Sequence, residues 1–252
     1  SLYRLFGGFF KHVLSKYTKI LTQSDIDRNK LVSIGAPEDR TYVMKNLKFD
    51  VKKSDELIDI GQKGYRVIIA GSTHKGEDEI VLNMFKQMKE KYNDVKLLLA
   101  PRHITRLSKI KEILDSLNLN YGYRSNNDSF VEKDIIVLDT MGELSKMYSI
   151  CHIAFIGGSF NKTGGHNPLE ATVYGKPTIT GPSIHNFRDI YWLLSRSSAG
   201  KIVRNPKELF EYVDKLLSDI DFYNKACNDC KIVFKDQQGA LNVVIKELKE
   251  IL

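Results

Sequence analysis

The segment Gly164-Gly165-His166-Asn167 carries the sharpest chemical signal in the sequence, because two glycines directly precede a predicted helix start. Glycine lets the backbone approach a ligand closely, and a helix start directs free N–H groups and a positive dipole end at that ligand. The pattern therefore predicts a phosphate site. Glu170 is open to two interpretations: a capping box with Asn167, or a carboxylate that accepts hydrogen bonds from ribose hydroxyls.

Cationic and hydroxyl side chains follow two other predicted strands. Arg102 and His103 come directly after an apolar run, and a guanidinium suits a phosphate or carboxylate. A surface salt bridge is the alternative for this pair. Ser72, Thr73 and His74 follow another apolar run, and capping of the next helix is the favoured interpretation of Ser72 or Thr73. His185 lies in a later loop and is a weaker candidate for ligand contact.

From Tyr65 onward, short apolar strands alternate regularly with amphipathic helices, and these elements position the side chains named above. This pattern predicts an α/β fold with a Rossmann-like, doubly wound parallel sheet of about six strands flanked by helices. Ligands of such sheets bind outside the carboxyl ends of the strands. The six predicted strands are 66–70, 95–100, 134–139, 153–156, 177–180 and 201–203. The helices between and after them are predicted at 77–92, 107–117, 142–149, 168–174, 187–195, from 206 onward and at 222–252.

The first fifty residues predict the remainder of a second α/β domain. They contain a short βαβ-like pattern: a strand near residue 20, a helix over Asp25–Ser33 that Ser24 caps, and a strand over Thr41–Met44. The predicted division is 1–50 for this part, 51–64 for a linker, 65–236 for the nucleotide-sugar domain and 237–252 for a helix that crosses back. An amphipathic helix from Leu2 to Leu14 is compatible with core packing or with membrane contact.

Composition excludes several classes of protein. The 252 residues are 42% hydrophobic and 27% charged, as in ordinary globular proteins and unlike disordered or multi-span membrane chains. A formal net charge of +7 favours an anionic partner.

Three cysteines are too few for a disulfide framework. Since the sequence also shows no secretory signal, we expect the protein to reside in the reducing cytoplasm. The sequence lacks the dinucleotide, P-loop, metalloprotease and nucleophile-elbow motifs. One isolated Cys-x-x-Cys does not predict a zinc site.

Ten short strings, in order between about Lys19 and Gly200, resemble the 3-deoxy-D-manno-octulosonic acid (Kdo) transferase family of lipopolysaccharide synthesis. The strings are Thr22-Gln23-Ser24, Gly35-Ala36, Asn46-Leu47-Lys48-Phe49-Asp50, Gly71-Ser72-Thr73-His74, Pro101-Arg102-His103, Asp139-Thr140-Met141-Gly142-Glu143-Leu144, Gly157-Gly158-Ser159, Gly164-Gly165-His166-Asn167-Pro168-Leu169-Glu170, Gly175-Lys176-Pro177 and Gly181-Pro182.

This resemblance implies a two-domain GT-B glycosyltransferase that transfers Kdo from CMP-Kdo to a lipid A precursor. It implies an inverting, metal-independent reaction with no cofactor, at the cytoplasmic face of the inner membrane of a Gram-negative bacterium. The implied partners are CMP-Kdo, the lipid A precursor and the membrane surface, with no nucleic acid. The donor-binding residues that it implies are Lys48, Ser72, Thr73, His74, Pro101, Arg102, His103, Met141, Gly142, Gly158, Ser159, Gly164, Gly165, His166, Asn167 and Glu170.

The sequence departs from the family pattern at its start. Nearly all of the family's acceptor-binding domain is absent, including the Ala-Ser-x-Gly-Glu type of motif that carries the proposed base. We therefore expect the chain as given to bind the donor without catalysing transfer. Another GT-B transferase or epimerase acting on a UDP-sugar is the alternative. A nucleic-acid-binding module is disfavoured, since the aromatic residues lie in apolar strands and helices rather than among Lys and Arg on one face.

Overall fold

The computed structural model describes residues 6–251. These form two compact units, one containing the described residues up to Val51 and from Phe234 onward, the other containing Lys52–Val233. The first positions of the predicted amphipathic helix lie outside the described residues. The predicted domain boundaries stay a prediction.

The strands are β1 (Ile20–Thr22), β2 (Thr41–Val43), β3 (Arg66–Thr73), β4 (Val95–Pro101), β5 (Tyr121–Tyr123), β6 (Ile135–Val137), β7 (Ile153–Ile156), β8 (Thr178–Thr180) and β9 (Gly200–Ile202). The α-helices are α1 (Gly7–Leu14), α2 (Asp25–Ser33), α3 (Glu77–Lys91), α4 (Leu107–Ser116), α5 (Leu144–Met147), α6 (Leu169–Thr172), α7 (Arg188–Ser195), α8 (Pro206–Ser218), α9 (Ile220–Gln237) and α10 (Ala240–Ile251). Short 3₁₀ helices occur at Glu38–Arg40, Leu47–Asp50, Ile104–Arg106, Arg124–Asn126 and Tyr148–Ile150.

In the first unit, β1 and β2 form a parallel pair connected by α2. The predicted bounds of α2 are confirmed. Its start is fixed by Ser24, whose hydroxyl oxygen accepts the Asp27 N–H at 3.1 Å and donates to the Asp27 carboxylate at 2.7 Å. In a capping box the residue one turn into the helix accepts the backbone N–H of the cap residue, whereas Asp27 accepts the Ser24 hydroxyl, so the box is incomplete.

The tail predicted to be helical from residue 222 consists of two helices, α9 and α10. Gly239, with φ +102°, separates α9 from α10, and glycine adopts this region of φ without strain. The Asp50 carboxylate accepts the N–H groups of Gly239 and Leu241 at 2.8 and 2.6 Å. It therefore caps the start of α10 from within the same unit.

In the second unit, the described residues form a seven-stranded parallel sheet in the order β5-β6-β4-β3-β7-β8-β9. The sheet has one strand more than the six predicted. The additional strand, β5, pairs with β6 but has only three residues and contains Gly122. Its sequence lacks the apolar run that identified the other strands, so tertiary pairing decides its conformation.

Alternate residues of the central strands face two hydrophobic layers. On one side Ile68 and Leu97 pack with residues of α3 and α8 such as Phe85 and Val213. On the other side Ile69 and Leu98 pack in a layer that includes Tyr148. Both faces of the sheet are covered, which explains why its strands have continuous rather than alternating apolar sequences.

The connections reverse direction between β3 and β7. The chain moves from β3 to β4 on one side and later from β7 to β8 and β9 on the other. Parallel sheets of this kind bind ligands at such a switch point, outside the carboxyl ends of the strands. We therefore expect a ligand site near the carboxyl ends of β3, β4 and β7, at Thr73, Pro101 and Ile156.

Candidate functional site

A cavity of about 330 Å³ lies at this switch point. A cavity of that volume is within the range of small-molecule sites. It is lined by Ser72, Arg102, Gly142, Leu144, Ser145, Tyr148, Ile156, His166, Asn167, Glu170 and Phe187. The lining comes from the ends of β3 and β7 and from segments that follow β4, β6, β7 and β8, so the sheet brings together positions that are about a hundred residues apart in the sequence.

Six of the sequence-predicted donor-binding residues line the cavity: Ser72, Arg102, Gly142, His166, Asn167 and Glu170. His74 contacts His166, and the His103 ring lies 5.6 Å from the His74 ring. The other predicted residues do not line the cavity: Thr73, Pro101 and Ser159 are buried, Met141 is exposed, and Gly158, Gly164 and Gly165 lie in the loops beside it. Lys48 lies in the 3₁₀ helix Leu47–Asp50 of the first unit.

Ser72 has an unusual backbone conformation, with φ +55°. A residue other than glycine rarely adopts a positive φ, and such backbone strain is typical of functional sites. The pairing of β3 with β4 shifts register here, between Gly71 and Thr73. Because of this irregularity the Thr73 carbonyl accepts the Arg102 N–H at 2.9 Å, which connects the loops after the two strands.

Neither Ser72 nor Thr73 caps the next helix, so the favoured interpretation of these residues is wrong. Gly76, with φ +88°, occupies the N-cap position of α3. The Thr73 hydroxyl instead donates to the Asp78 carboxylate at 2.7 Å. Asp78 is 1% exposed and also binds the Arg106 guanidinium, which donates to the Thr73 carbonyl as well. This ion pair fixes the end of β3 against the start of α4.

Glu77 organises the loop after β7. It is 1% exposed, and its carboxylate accepts the N–H groups of Gly158, Ser159 and Phe160 at 2.7, 2.7 and 2.8 Å. It also accepts the N–H of His74 at 2.9 Å. Four backbone donors can stabilise a buried carboxylate without a cationic partner. This role of Glu77 was not predicted from the sequence, because the donors at residues 158–160 lie about eighty residues away.

The glycine-rich segment lies in the same loop, between β7 and α6, and folds back on the beginning of that loop. The N–H of Gly165 donates to the Gly158 carbonyl at 2.7 Å, and the N–H of His166 donates to the Gly157 carbonyl at 3.2 Å. A Cβ atom on Gly158 would lie 2.8 Å from the His166 ring, and one on Gly164 would overlap the His185 ring. The glycines therefore permit close approach of protein segments. The N–H groups of Gly165 and His166 are already engaged.

The helix after the glycines is a single turn, Leu169–Thr172, and is shorter than the predicted 168–174. One turn supplies little of the dipole on which the predicted phosphate site partly rests. The interpretation of Glu170 as part of a capping box with Asn167 is wrong. The Asn167 Oδ1 atom accepts the N–H of Leu169 at 3.1 Å, and Pro168 occupies the N-cap position. The positive charge at the cavity therefore comes mainly from Arg102.

Glu170 lines the cavity together with Arg102. Burial raises the pKa of Glu170 above its ordinary value, while a hydrogen bond with Asn167 and the charge of Arg102 act in the opposite direction. The cavity thus combines a guanidinium that suits an anionic group with a carboxyl group that can accept hydrogen bonds from hydroxyls.

His74 and His166 form a contact pair beside the cavity, with 2.9 Å between their Nε2 atoms. Their rings stack at 5.2 Å between centroids. Burial lowers the pKa of His166 to about 4, assisted by His74 and Arg102. Burial also lowers the pKa of His74, assisted by His103, Arg106 and Arg102 against the opposing charge of Glu77. At neutral pH both rings are uncharged, so one nitrogen donates to the other.

Five residues that line the cavity were not predicted from the sequence as site residues. Leu144 was quoted only as part of a motif, and the others are Ser145, Tyr148, Ile156 and Phe187. Ile156 ends a strand whose carboxyl end was expected at the site, so its position was a usable signal. Tyr148 and Phe187 were assigned to predicted helices, and no local pattern distinguishes them from core residues.

Within residues 6–251, no three His, Cys, Asp or Glu side chains are grouped so that they could hold a metal ion. In the same part of the chain, no helix has the length and apolar character needed to cross a membrane.

Comparison with known proteins identifies relatives of this chain. Residues 1–51 match the model of the family described as 3-deoxy-D-manno-octulosonic-acid transferase (kdotransferase). The chain is 36% identical over 258 residues to a bifunctional glycosyltransferase/methyltransferase of Fusobacterium nucleatum, covering 97% of this chain and 39% of that protein. It is 33% identical over 247 residues to the 3-deoxy-D-manno-octulosonic acid transferase of Haemophilus influenzae, covering 94% of this chain and 58% of that protein.

A solved structure is similar as well. The C-terminal CMP-Kdo binding domain of WaaA from Acinetobacter baumannii aligns with a TM-score of 0.65 and 27% identity, covering 69% of this chain and 91% of that one. The predicted fold class is confirmed: the sheet and its flanking helices have the architecture of GT-B glycosyltransferases. The chain spans less than two thirds of the length of the two curated relatives.

Proposed function

Because the chain belongs to the Kdo transferase family, we propose that its second unit binds CMP-Kdo in the cavity at the switch point of the sheet. We further propose that the whole protein is a glycosyltransferase, which transfers Kdo from this donor to a lipid A precursor. The name of the Acinetobacter baumannii domain supports the donor, and the names of the curated relatives support the transfer.

The observation that carries the proposal is the placement of Arg102 and Glu170 in one cavity. CMP-Kdo has a phosphodiester and a sugar carboxylate, both anionic, and a ribose with two free hydroxyls. A guanidinium suits the first two groups, and a carboxyl group accepts hydrogen bonds from ribose hydroxyls. The net charge of +7 has the sign that an anionic donor requires.

The proposed chemistry needs no metal ion or cofactor. When the bond between Kdo and CMP breaks, negative charge develops on the phosphate of CMP. A fixed guanidinium at that position stabilises this charge and promotes departure of CMP. Transfer with inversion then requires a base for the acceptor hydroxyl. We assign that base to no residue of this chain, since the resemblance attributes it to a glutamate motif that is absent from this sequence.

The proposed acceptor is a phosphorylated lipid, and we propose that the reaction takes place at the cytoplasmic face of the inner membrane. The net positive charge of the chain favours contact with an anionic membrane surface.

Calorimetric titration of the chain with CMP and with UMP tests the proposed donor. We expect saturable binding of CMP that is tighter than that of UMP, and weaker CMP binding by Glu170→Gln. Glu211→Gln is the matched control, since Glu211 is an exposed residue of α8 outside the cavity lining. No heat with CMP at millimolar concentration would contradict the proposal. Tighter binding of UMP would favour a UDP-sugar enzyme.

A further inference from the structure

Tyr148 begins the 3₁₀ helix that follows α5 and is almost completely buried, with 2% of its surface exposed. Its ring packs in the hydrophobic layer on one face of the sheet. Its hydroxyl lies over the carboxyl end of β3, because a Cβ atom on Gly71 would overlap the hydroxyl oxygen. Gly71 immediately precedes Ser72, so the hydroxyl is held at the strand end that borders the cavity.

This hydroxyl has no hydrogen-bond partner among the residues that the structure describes, and the other fully buried tyrosine of this unit, Tyr191, differs in that respect. The Tyr191 hydroxyl donates to the His166 carbonyl at 2.8 Å, and the Tyr92 hydroxyl donates to Asp214 at 2.8 Å. A buried tyrosine hydroxyl usually finds a partner, because desolvating it without one is unfavourable.

The cavity is the space in which the Tyr148 hydroxyl can meet a hydrogen-bond partner. In the described part of the chain, every side-chain oxygen or nitrogen that is fully enclosed has a hydrogen-bond partner. The Tyr148 oxygen is therefore not fully enclosed, and the cavity is the space that Tyr148 lines. The hydroxyl is thus accessible to a molecule bound there.

Glu170 lines the same cavity, and its charge acts on Tyr148. Burial, followed by the charge of Glu170, raises the pKa of Tyr148 well above its ordinary value. The hydroxyl therefore keeps its proton and is available as a donor.

We propose that Tyr148 is a specificity-determining residue that donates a hydrogen bond to a ribose hydroxyl of the bound nucleotide. The same ribose hydroxyl donates its own proton to Glu170, so the three groups form a chain from Tyr148 through the ribose to the carboxylate. A nucleotide that lacks this hydroxyl leaves both protein groups unpaired. The inference rests on the proposed binding of CMP and adds the recognition of its sugar.

The variant Tyr148→Phe separates this role from a structural one. It removes one oxygen and keeps the ring that packs in the core. Because the hydroxyl has no partner in the described chain, its removal should leave the melting temperature unchanged or raise it. Affinity for CMP should fall about three- to tenfold, the effect of one hydrogen bond between neutral groups. Tyr92→Phe is the matched control: it removes the bond to Asp214 far from the cavity lining, so stability should fall while CMP affinity stays unchanged.

The test compares calorimetric affinities of the unmodified chain, Tyr148→Phe and Tyr92→Phe for CMP and for its 2′-deoxy and 3′-deoxy forms. The loss caused by Tyr148→Phe should appear with CMP and disappear with one of the two deoxy forms. Equal CMP affinity for Tyr148→Phe and the unmodified chain overturns the inference while leaving the proposed function standing. A loss that persists with both deoxy forms also overturns it. Failure of the unmodified chain to bind CMP overturns the proposed function and this inference together.

Discussion

The Glu77 carboxylate accepts the backbone N–H of Ser159 at 2.7 Å, although four strands, β4 to β7, separate the two residues in sequence. This hydrogen bond joins the first turn of α3 to the loop after β7. The beginning of that loop in turn accepts N–H groups from the glycine-rich segment at its end, before α6. The cavity walls are therefore held by a backbone network whose centre is one buried carboxylate.

Removal of the charge at this centre should weaken both stability and binding. Glu77→Gln replaces one acceptor oxygen by an NH₂ group that faces N–H donors. We expect the free energy of unfolding in urea to fall by about 1.5–3 kcal/mol and CMP binding to weaken.

Glu79→Gln is the control for Glu77, because Glu79 is an exposed residue in the same turn of α3. It should change the free energy of unfolding by less than about 0.5 kcal/mol. Equal effects of the two variants would show that the backbone contacts of Glu77 contribute nothing.

The ion pair between the buried Asp78 and the half-buried Arg106 should show coupling. Asp78→Ala removes this acceptor from the half-buried Arg106 guanidinium and from the Thr73 hydroxyl, and should lower the free energy of unfolding by about 1.5–3 kcal/mol. The double variant with Arg106→Ala should lose less than the sum of the two single variants, because neither charge is then left unpaired. Chemical denaturation of the four proteins measures this coupling, and strict additivity would contradict it.

The lowered pKa of His166 predicts that acid destabilises the fold. Between about pH 6.5 and 4 the unfolded chain binds a proton at this position that the folded chain does not. The free energy of unfolding should therefore fall as pH decreases through this range. His152, whose pKa burial lowers to about 4, contributes with the same sign.

His166→Gln should reduce, without abolishing, this dependence on pH. Glutamine cannot take up a proton in either state, whereas His152 is unchanged in the variant. Denaturant titrations at several pH values between 4 and 7 give the slope. An identical slope for the variant and the unmodified chain would mean that His166 titrates alike in both states.

Arg102 should supply most of the attraction for the phosphate. Arg102→Ala removes a charge-assisted contact and should weaken CMP binding about tenfold to a hundredfold. Lys109→Ala also removes one positive charge, from the exposed face of α4, and should have little effect at physiological salt. Similar losses for both variants would indicate a non-specific effect of net charge.

Much of the framework was predictable from local sequence. The apolar runs identified six of the seven strands in the sheet, and Ser24 and Asp27 identified the start of α2. Since parallel strands deliver their carboxyl ends to one edge, the edge at which the cavity lies also followed from the sequence. Six predicted residues do line the cavity.

The remaining features depend on contacts between distant segments. Glu77 resembles an ordinary acidic residue in a first helical turn, and only the fold brings Gly158 and Ser159 to its carboxylate. In the sequence Tyr148 resembles a core residue, because its ring does pack in the hydrophobic core. The strand β5 forms because β6 offers an edge, not because of its own propensity.

A crystal structure of the chain with CMP is the most direct test of the central claim. Our account predicts nucleotide density in the cavity between β3 and β7, with the phosphate at Arg102 and the ribose at Glu170. Density for CMP elsewhere on the molecule, or an empty cavity in crystals grown with saturating CMP, would contradict it.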